Sequence, residues 1–429
     1  MFKAVAGYYK DNERLRLLVK IIAVWLISRA VMLLMVPVMN LIADEPHQWL
    51  YYMNPWDAEW YKGIVENGYQ PPKSSGMASW AFFPLYPLVC MAVRLVTMGS
   101  IDTYAVGMTV SNICIIIAVY YAVKYADIEL DMKKYNKKTV EDIIIFLMLA
   151  GPFAVYYGAM YTEALFILCV ILCFYNSARH NYMAAAMASA TRIVGCMLVF
   201  VLITYMFMET CAECRAKHNS EMKDNKEAGI IDKCMLTEEA GILIAGNISL
   251  ASVIRTFIKN VIKEPKKLVA IMISPLGIFI YMNYLRYFCG DSWAFYHVQR
   301  AWRTQKMFPV IGVLFKSCTG QLSAASGVKT LNGIILGWLC VITLMLYAAM
   351  IRKKHYALGI FGIIVLLIPL TSSVMSTLRF IMGSFVIYIG VAEIIAGCNR
   401  YVRYGIITLL SIVEIVVISA WYFWDGLLM

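Results

Sequence analysis

Stretches of about twenty apolar residues, long enough to cross a bilayer as helices, recur along nearly the whole chain. Nothing else in the sequence limits the fold so severely. They fall at 20–43, 103–123, 141–158, 160–178, 183–208, 268–288, 331–350, 356–374, 380–397 and 403–424. A weaker stretch, 80–99, opens with Pro84 and Pro87 and carries Arg94; a short run at 307–318 has the length of a re-entrant segment. The chain is 61% hydrophobic and 15% charged, where a soluble domain has roughly 45–50% and 25%. Its 10 Trp, 28 Tyr and 19 Phe suit aromatic belts at two membrane interfaces. The expected fold is one all-α polytopic membrane domain over residues 1–429, with about 10–11 segments, some broken or re-entrant.

The net charge of +11 is not a nucleic-acid signal, because the basic residues form short clusters between apolar runs rather than one stripe. The clusters are the N-terminus, Lys133 to Lys138, Lys259 to Lys267, Arg352 to Lys354, and Arg400 with Arg403. Placed in the cytoplasm, they make the second half alternate cleanly. The N-terminal run to about Ala43 is too long for the apolar core of a cleavable signal and reads as a first span. Most of the 12 cysteines sit in apolar runs, where Cys is a small hydrophobe. Cys211 and Cys214 form a lone CxxC without a second pair at zinc spacing.

The first half does not alternate. One of 80–99 and 103–123 must be partial, and 183–208 must be broken, with "ASATRIVG" (188–195) supplying the break. Broken helices at membrane depth survive only where they line a protein cavity, so the failure of alternation points to a site. Residues 209–267 form a polar cytoplasmic insertion with an amphipathic stretch at 241–262.

Four unusual stretches then share the outer face: "NPWDAEWYKGIVENGYQ" (54–70) with "WAFFPLYP" (80–87), "GAMYTEA" (158–164), "RYFCGDSWAFYHVQRAWRTQ" (286–305) and "TSSVMSTLRF" (371–380). In loop 44–79, Asn54 is expected to cap a short interfacial helix, with Pro55 at its first position and Trp56, Trp60 and Ile64 along one stripe. Asp57 would then fall in the first turn. It reads either as an acid favoured by the helix dipole or as a base that removes a hydroxyl proton. Glu59 reads as solvent-facing. Trp56, Trp60 and Tyr61 suit either sugar stacking or interfacial anchoring. Arg192, Arg300, Arg303 and Arg379 are candidates to clamp a lipid phosphate. For Arg192 the alternative is an internal ion pair with Glu163, since an unpaired charge mid-segment is costly. Glu163 and His297 are candidates to position a substrate, with helix capping and a satisfied interfacial histidine as their alternatives. The chemistry calls for no metal ligands and no cofactor.

These residues also resemble a known family. "WDAEWYKGIVENGY" followed by "AFFPLYPL" looks like the first lumenal loop of the GPI mannosyltransferase II (PIG-V) family. "GPFAVYYGAMYTEALFIL" (151–168), "ASATRIVG", "GDSWAFYHVQRAW" (290–302) and "SSVMSTLRFIMGSFVIYIGVA" are similar to further blocks of that family, in its order. Ile193-Val194 stands where the family has Ser-Asn, Phe380 replaces a Tyr, and the compact Lys-rich loops look bacterial. The resemblance implies a GT-C glycosyltransferase acting outside the cytoplasm, in a bacterial plasma membrane (or the endoplasmic reticulum of a eukaryote). It implies a polyprenyl-phosphate-linked hexose, typically mannose, as donor, and a lipid, glycan or protein hydroxyl as acceptor. Within that reading Asp57 is the catalytic acidic residue, and Asp291 and Gln299 join the positioning residues through the Gly-Asp…Gln block. The opposing class is a transporter or lipid flippase, which would also carry broken helices and intramembrane charge.

Overall fold

Asn12 starts the first helix by accepting a hydrogen bond from the Leu15 amide at 3.1 Å, and the apolar run behind it stays helical to Asn40. The same device opens three more helices: Asp102 caps Thr103–Glu129, Asn136 caps Lys137–Leu149, and Asn399 caps Arg400–Tyr422. The computed structural model describes residues 12–46, 48–176, 183–227, 249–301, 309–321, 330–371, 373–425 and 428, and these are helical with no strand among them.

Five helices are long and apolar enough to cross a membrane: Glu13–Asn40, Thr103–Glu129, Ile193–Lys217, Thr330–Arg352 and Arg400–Tyr422. Two bent pairs have the length and apolarity of a broken span or a re-entrant loop, Pro265–Ile273 with Leu276–Cys289 (46°) and Thr377–Gly383 with Val386–Gly397 (70°). The protein is therefore an integral membrane protein with an all-helical fold. Leu85–Val96 is short and partial. The amphipathic helix in the polar insertion runs over Leu250–Lys263, while the first part of the expected stretch lies outside the described residues.

The expected spans 141–158 and 160–178 are corrected. In their place stand two half-length helices, Lys137–Leu149 and Glu163–Asn176, of 13 and 14 residues. At 1.5 Å per residue each reaches about 20 Å, short of the roughly 30 Å apolar thickness. Between them residues 150–162 are mostly buried and non-helical apart from a 3₁₀ turn at Ala154–Tyr157. The Gly151-Pro152 pair explains the stop, because the residue before proline is pushed out of the helical region. Phe153 then adopts φ 79°.

Such a segment needs partners for its backbone, and it finds them on distant elements. The Phe153 amide donates to Glu414 at 3.0 Å. The Ala154 carbonyl accepts from Arg29 at 3.3 Å. The Met160 amide donates to the Asn54 side chain at 2.7 Å, and the Tyr161 carbonyl accepts from Ser111 at 3.2 Å. Helix Glu163–Asn176 is buried almost all round, which marks it as central, and it packs against Thr103–Glu129.

The break expected in 183–208 falls at Arg192. Helix Met183–Thr191 ends there, Arg192 is extended (φ −152°, ψ 146°), and Leu198–Glu227 resumes after a 3₁₀ turn. Gly195 permits the fold-back: a Cβ there would lie 2.2 Å from the Ala188 carbonyl.

At the end of the bundle carrying the basic clusters, His355 Nδ1 donates to Glu129 (2.8 Å), Lys353 pairs with Glu393 (3.0 Å), and Tyr135 donates to Glu393 (3.0 Å). Burial alone would lower the pKa of His355. Its hydrogen bonds and charge interactions with Glu129 and Glu393 outweigh that and hold it up at about 9.

Candidate functional site

Two short helices, Trp49–Met53 and Asp57–Asn67, meet at the turn Asn54-Pro55-Trp56. The expected cap is corrected: Asn54 does not cap the second helix, because its amide is spent on the Leu50 carbonyl (2.7 Å) and the Met160 amide. Trp56 is the cap residue instead, in an unusual conformation (φ 47°, ψ −104°), and Asp57 is the first helical residue. A bulky residue at positive φ persists only where its surroundings enforce it. Here Tyr161 does so: its hydroxyl donates to the Pro55 carbonyl at 2.7 Å and accepts from the Asp57 amide at 3.3 Å. The buried face of the helix is Ala58, Tyr61, Ile64 and Val65, rotated from the expected Trp56–Trp60–Ile64 stripe. Gly68 ends it at φ 72°.

Asp57 faces Arg379 of the short helix Thr377–Gly383, and the two form a tight ion pair through Arg379 Nη1. Arg379 Nε reaches Glu163 Oε1 at 2.6 Å. The same oxygen takes Arg192 Nη1 at 2.8 Å. Four of the candidate residues thus form one chain, Asp57–Arg379–Glu163–Arg192, with two acids and two arginines. Glu163 is 1% exposed and its Oε2 has no hydrogen-bond partner among the described residues. Arg379 stacks over the Tyr161 ring at 4.8 Å, and Arg192 lies over Phe380 at 4.9 Å and Phe166 at 5.7 Å. Ring faces favour a guanidinium where water is scarce. Asp57 keeps the most exposure, 26% of its side chain.

The aromatic candidates divide. Trp56 packs edge-on to Trp421 (5.4 Å between centroids) and tilted against Trp424 (6.0 Å). Trp60 stacks on Phe82 at 5.6 Å with Lys73 over its ring at 4.8 Å. Tyr61 is buried edge-on to Phe82 and Tyr86, its hydroxyl 3.4 Å from Thr162 Oγ1. Glu59 is solvent-facing, as expected, and also accepts a hydrogen bond from the Tyr104 hydroxyl.

In the other outer loop, Asp291 and His297 form an exposed pair, Oδ2 to Nδ1 2.6 Å. The hydrogen bond from His297 holds the Asp291 carboxyl below its ordinary pKa. Gln299 and Arg300 lie in the 3₁₀ turn Val298–Ala301, where Arg300 is exposed. Arg303 lies outside the described residues. This loop packs on the first one through Phe83 against Phe295 (5.4 Å) and the Tyr281 hydroxyl on the Trp80 carbonyl (2.8 Å).

Sequence reasoning missed Tyr161, Trp421 and Trp424. The available signals were Tyr161 directly before "TEA" and the terminal "WYFWD" cluster, which packs onto Trp56, Tyr156 and Tyr161.

A membrane bundle whose broken elements converge on a buried acid–arginine chain holds charged groups that are costly at membrane depth and therefore mark a candidate site. Comparison with known proteins narrows the reading. The family model for mannosyltransferase (PIG-V) matches residues 14–236, more than half of the chain, and the protein belongs to that family. It is thus an integral membrane protein of a mannosyltransferase family. No curated protein matches the chain. Among solved structures it is similar to the Archaeoglobus fulgidus oligosaccharyltransferase tethered with an acceptor peptide containing the NVT sequon (12% identity, TM-score 0.44, covering 97% of this chain and 56% of that one). It is also similar to the oligosaccharyltransferase AglB of the same organism in complex with an inhibitory peptide and a dolichol-phosphate (10% identity, TM-score 0.43, 98% and 56%). The chain spans a little over half the length of these proteins.

Proposed function

We propose that the protein transfers a hexose, mannose by family membership, from a polyprenyl-phosphate donor to a hydroxyl on an extracytoplasmic lipid, glycan or protein. The acceptor oxygen attacks the sugar C1 as the bond from C1 to the phosphate oxygen breaks. The hydroxyl proton passes to the Asp57 carboxylate, and the bonding electron pair leaves with the phosphate. Arg379 and Arg192 offer the charge-assisted donors that hold the departing phosphate. Glu163 anchors both guanidinium groups. Trp56, Trp60 and Tyr61 would position a sugar beside the acid, while Arg300, Arg303, Asp291, His297 and Gln299 would engage a substrate from the neighbouring loop. Short basic clusters at the opposite end favour a site on the outer face of the plasma membrane.

The observation that carries the reading is the convergence of Asp57 and two arginines on one buried carboxylate. The test is transfer from labelled polyprenyl-phosphate-mannose by the purified, reconstituted protein, wild type against Asp57→Asn. Loss of a general base is expected to slow transfer by about 10²–10⁴-fold. Full activity in the variant would remove Asp57 from the mechanism.

A further inference from the structure

We propose that Asp57 occupies the phosphate's own binding position on Arg379, and that the donor phosphate must displace it. The inference rests on the function proposed above and adds how the base is held and released.

The charges come first. Asp57, Arg379, Glu163 and Arg192 together are neutral, so the closed chain offers no net attraction to an anion. Arg379 is nonetheless built to keep its place without Asp57. Its Nε is fixed to Glu163 at 2.6 Å, its plane lies on the Tyr161 ring at 4.8 Å, and its residue is buried. Only Nη1 contacts Asp57, and Nη2 has no hydrogen-bond partner among the described residues. These two terminal nitrogens form the end of the fork that grips a phosphate bidentately.

Asp57 is the more exposed member of the pair, and it sits at the first turn of a short helix entered through a strained Trp56. When its carboxylate leaves, the remaining Arg379, Glu163 and Arg192 carry one net positive charge. A phosphate that takes the vacated end of Arg379 therefore gains a cation and frees a carboxylate in one exchange. The base becomes available only when a donor is bound beside it. Without a donor, Asp57 stays paired.

Competition by an internal anion lowers apparent affinity by the fraction of protein in the open state. The test uses binding rather than transfer: titration of the detergent-solubilised full chain with a polyprenyl phosphate, and separately with inorganic phosphate. Asp57→Asn removes the competitor, so both probes are expected to bind about tenfold more tightly, while the same variant loses transfer. Arg379→Lys should weaken both probes, because a single ammonium cannot reproduce the fork. Glu66→Gln removes one negative charge from the same helix, where Glu66 accepts from Thr103 at 2.7 Å, and should leave binding unchanged. Equal or weaker phosphate binding by Asp57→Asn would overturn the exchange while leaving Asp57 as the base if transfer is lost. Equal tightening by Glu66→Gln would overturn it as well, since long-range charge would then explain the effect. Normal transfer by Asp57→Asn would instead defeat the underlying function.

Discussion

Glu163 holds two guanidinium groups on one oxygen, which makes it the residue whose removal exposes the most buried charge. Breaking one partner out of a buried pair costs about 3–5 kcal/mol, because the other charge is stranded. Glu163→Gln keeps the shape and removes the charge, so chemical denaturation in detergent should show a loss of about that size. The same substitution at exposed Glu59 should cost far less. The individual members of this chain were legible in the sequence, because an Arg in mid-segment and a Glu at a helix start are costly unless used. For Arg192 the ion pair with Glu163 was legible too, since both belong to consecutive apolar segments. The Asp57–Arg379 pairing was not, because the partners are 322 positions apart and no local pattern links them. Tyr161 was missed for the opposite reason: a tyrosine at a membrane interface has an ordinary explanation.

Helices in this bundle approach one another closely where a glycine allows it. At Gly277 an added Cβ would stand 2.4 Å from the Ala186 carbonyl and the Ala190 amide, both backbone atoms of helix Met183–Thr191. Gly277→Ala therefore forces two backbones apart and should destabilise by about 1–3 kcal/mol. Gly405, inside Arg400–Tyr422, has nothing within 4 Å of its Cβ position. Gly405→Ala should stabilise slightly, by helix propensity. Melting of the two variants side by side in one detergent checks both signs. The long helices could be read from apolar length alone, and the break at Arg192 from the topology it was needed to satisfy. The split of 141–178 into two short helices could not be read that way. Residues 150–162 are as apolar as a span, and hydropathy does not register that Gly151-Pro152 ends a helix in the middle of it.

Across the whole molecule, the His355 cluster ties the helix ends at Glu129 and Glu393 to the turn before Tyr356. The folded-state pKa of His355, about 9, lies above the ~6.5 of an unfolded chain. A raised value stabilises the folded state fully below about 6.5, and this contribution fades as pH rises through about 9. The wild type should therefore melt at progressively lower temperature between those limits, and His355→Gln should show a flatter profile. A wild-type melting temperature that does not fall over this interval would contradict the assignment. The backbone of 150–162 also imposes an order on synthesis. Phe153 leaves the ribosome 261 residues before Glu414, the carboxylate that receives its amide. At 5–20 residues per second that is a wait of roughly 13–50 s. Neither flanking helix is long enough to hold a transmembrane position alone, so the pair must enter the lipid as a provisional hairpin. The nascent chain stays incomplete at its centre until helix Arg400–Tyr422 arrives to receive the Phe153 amide.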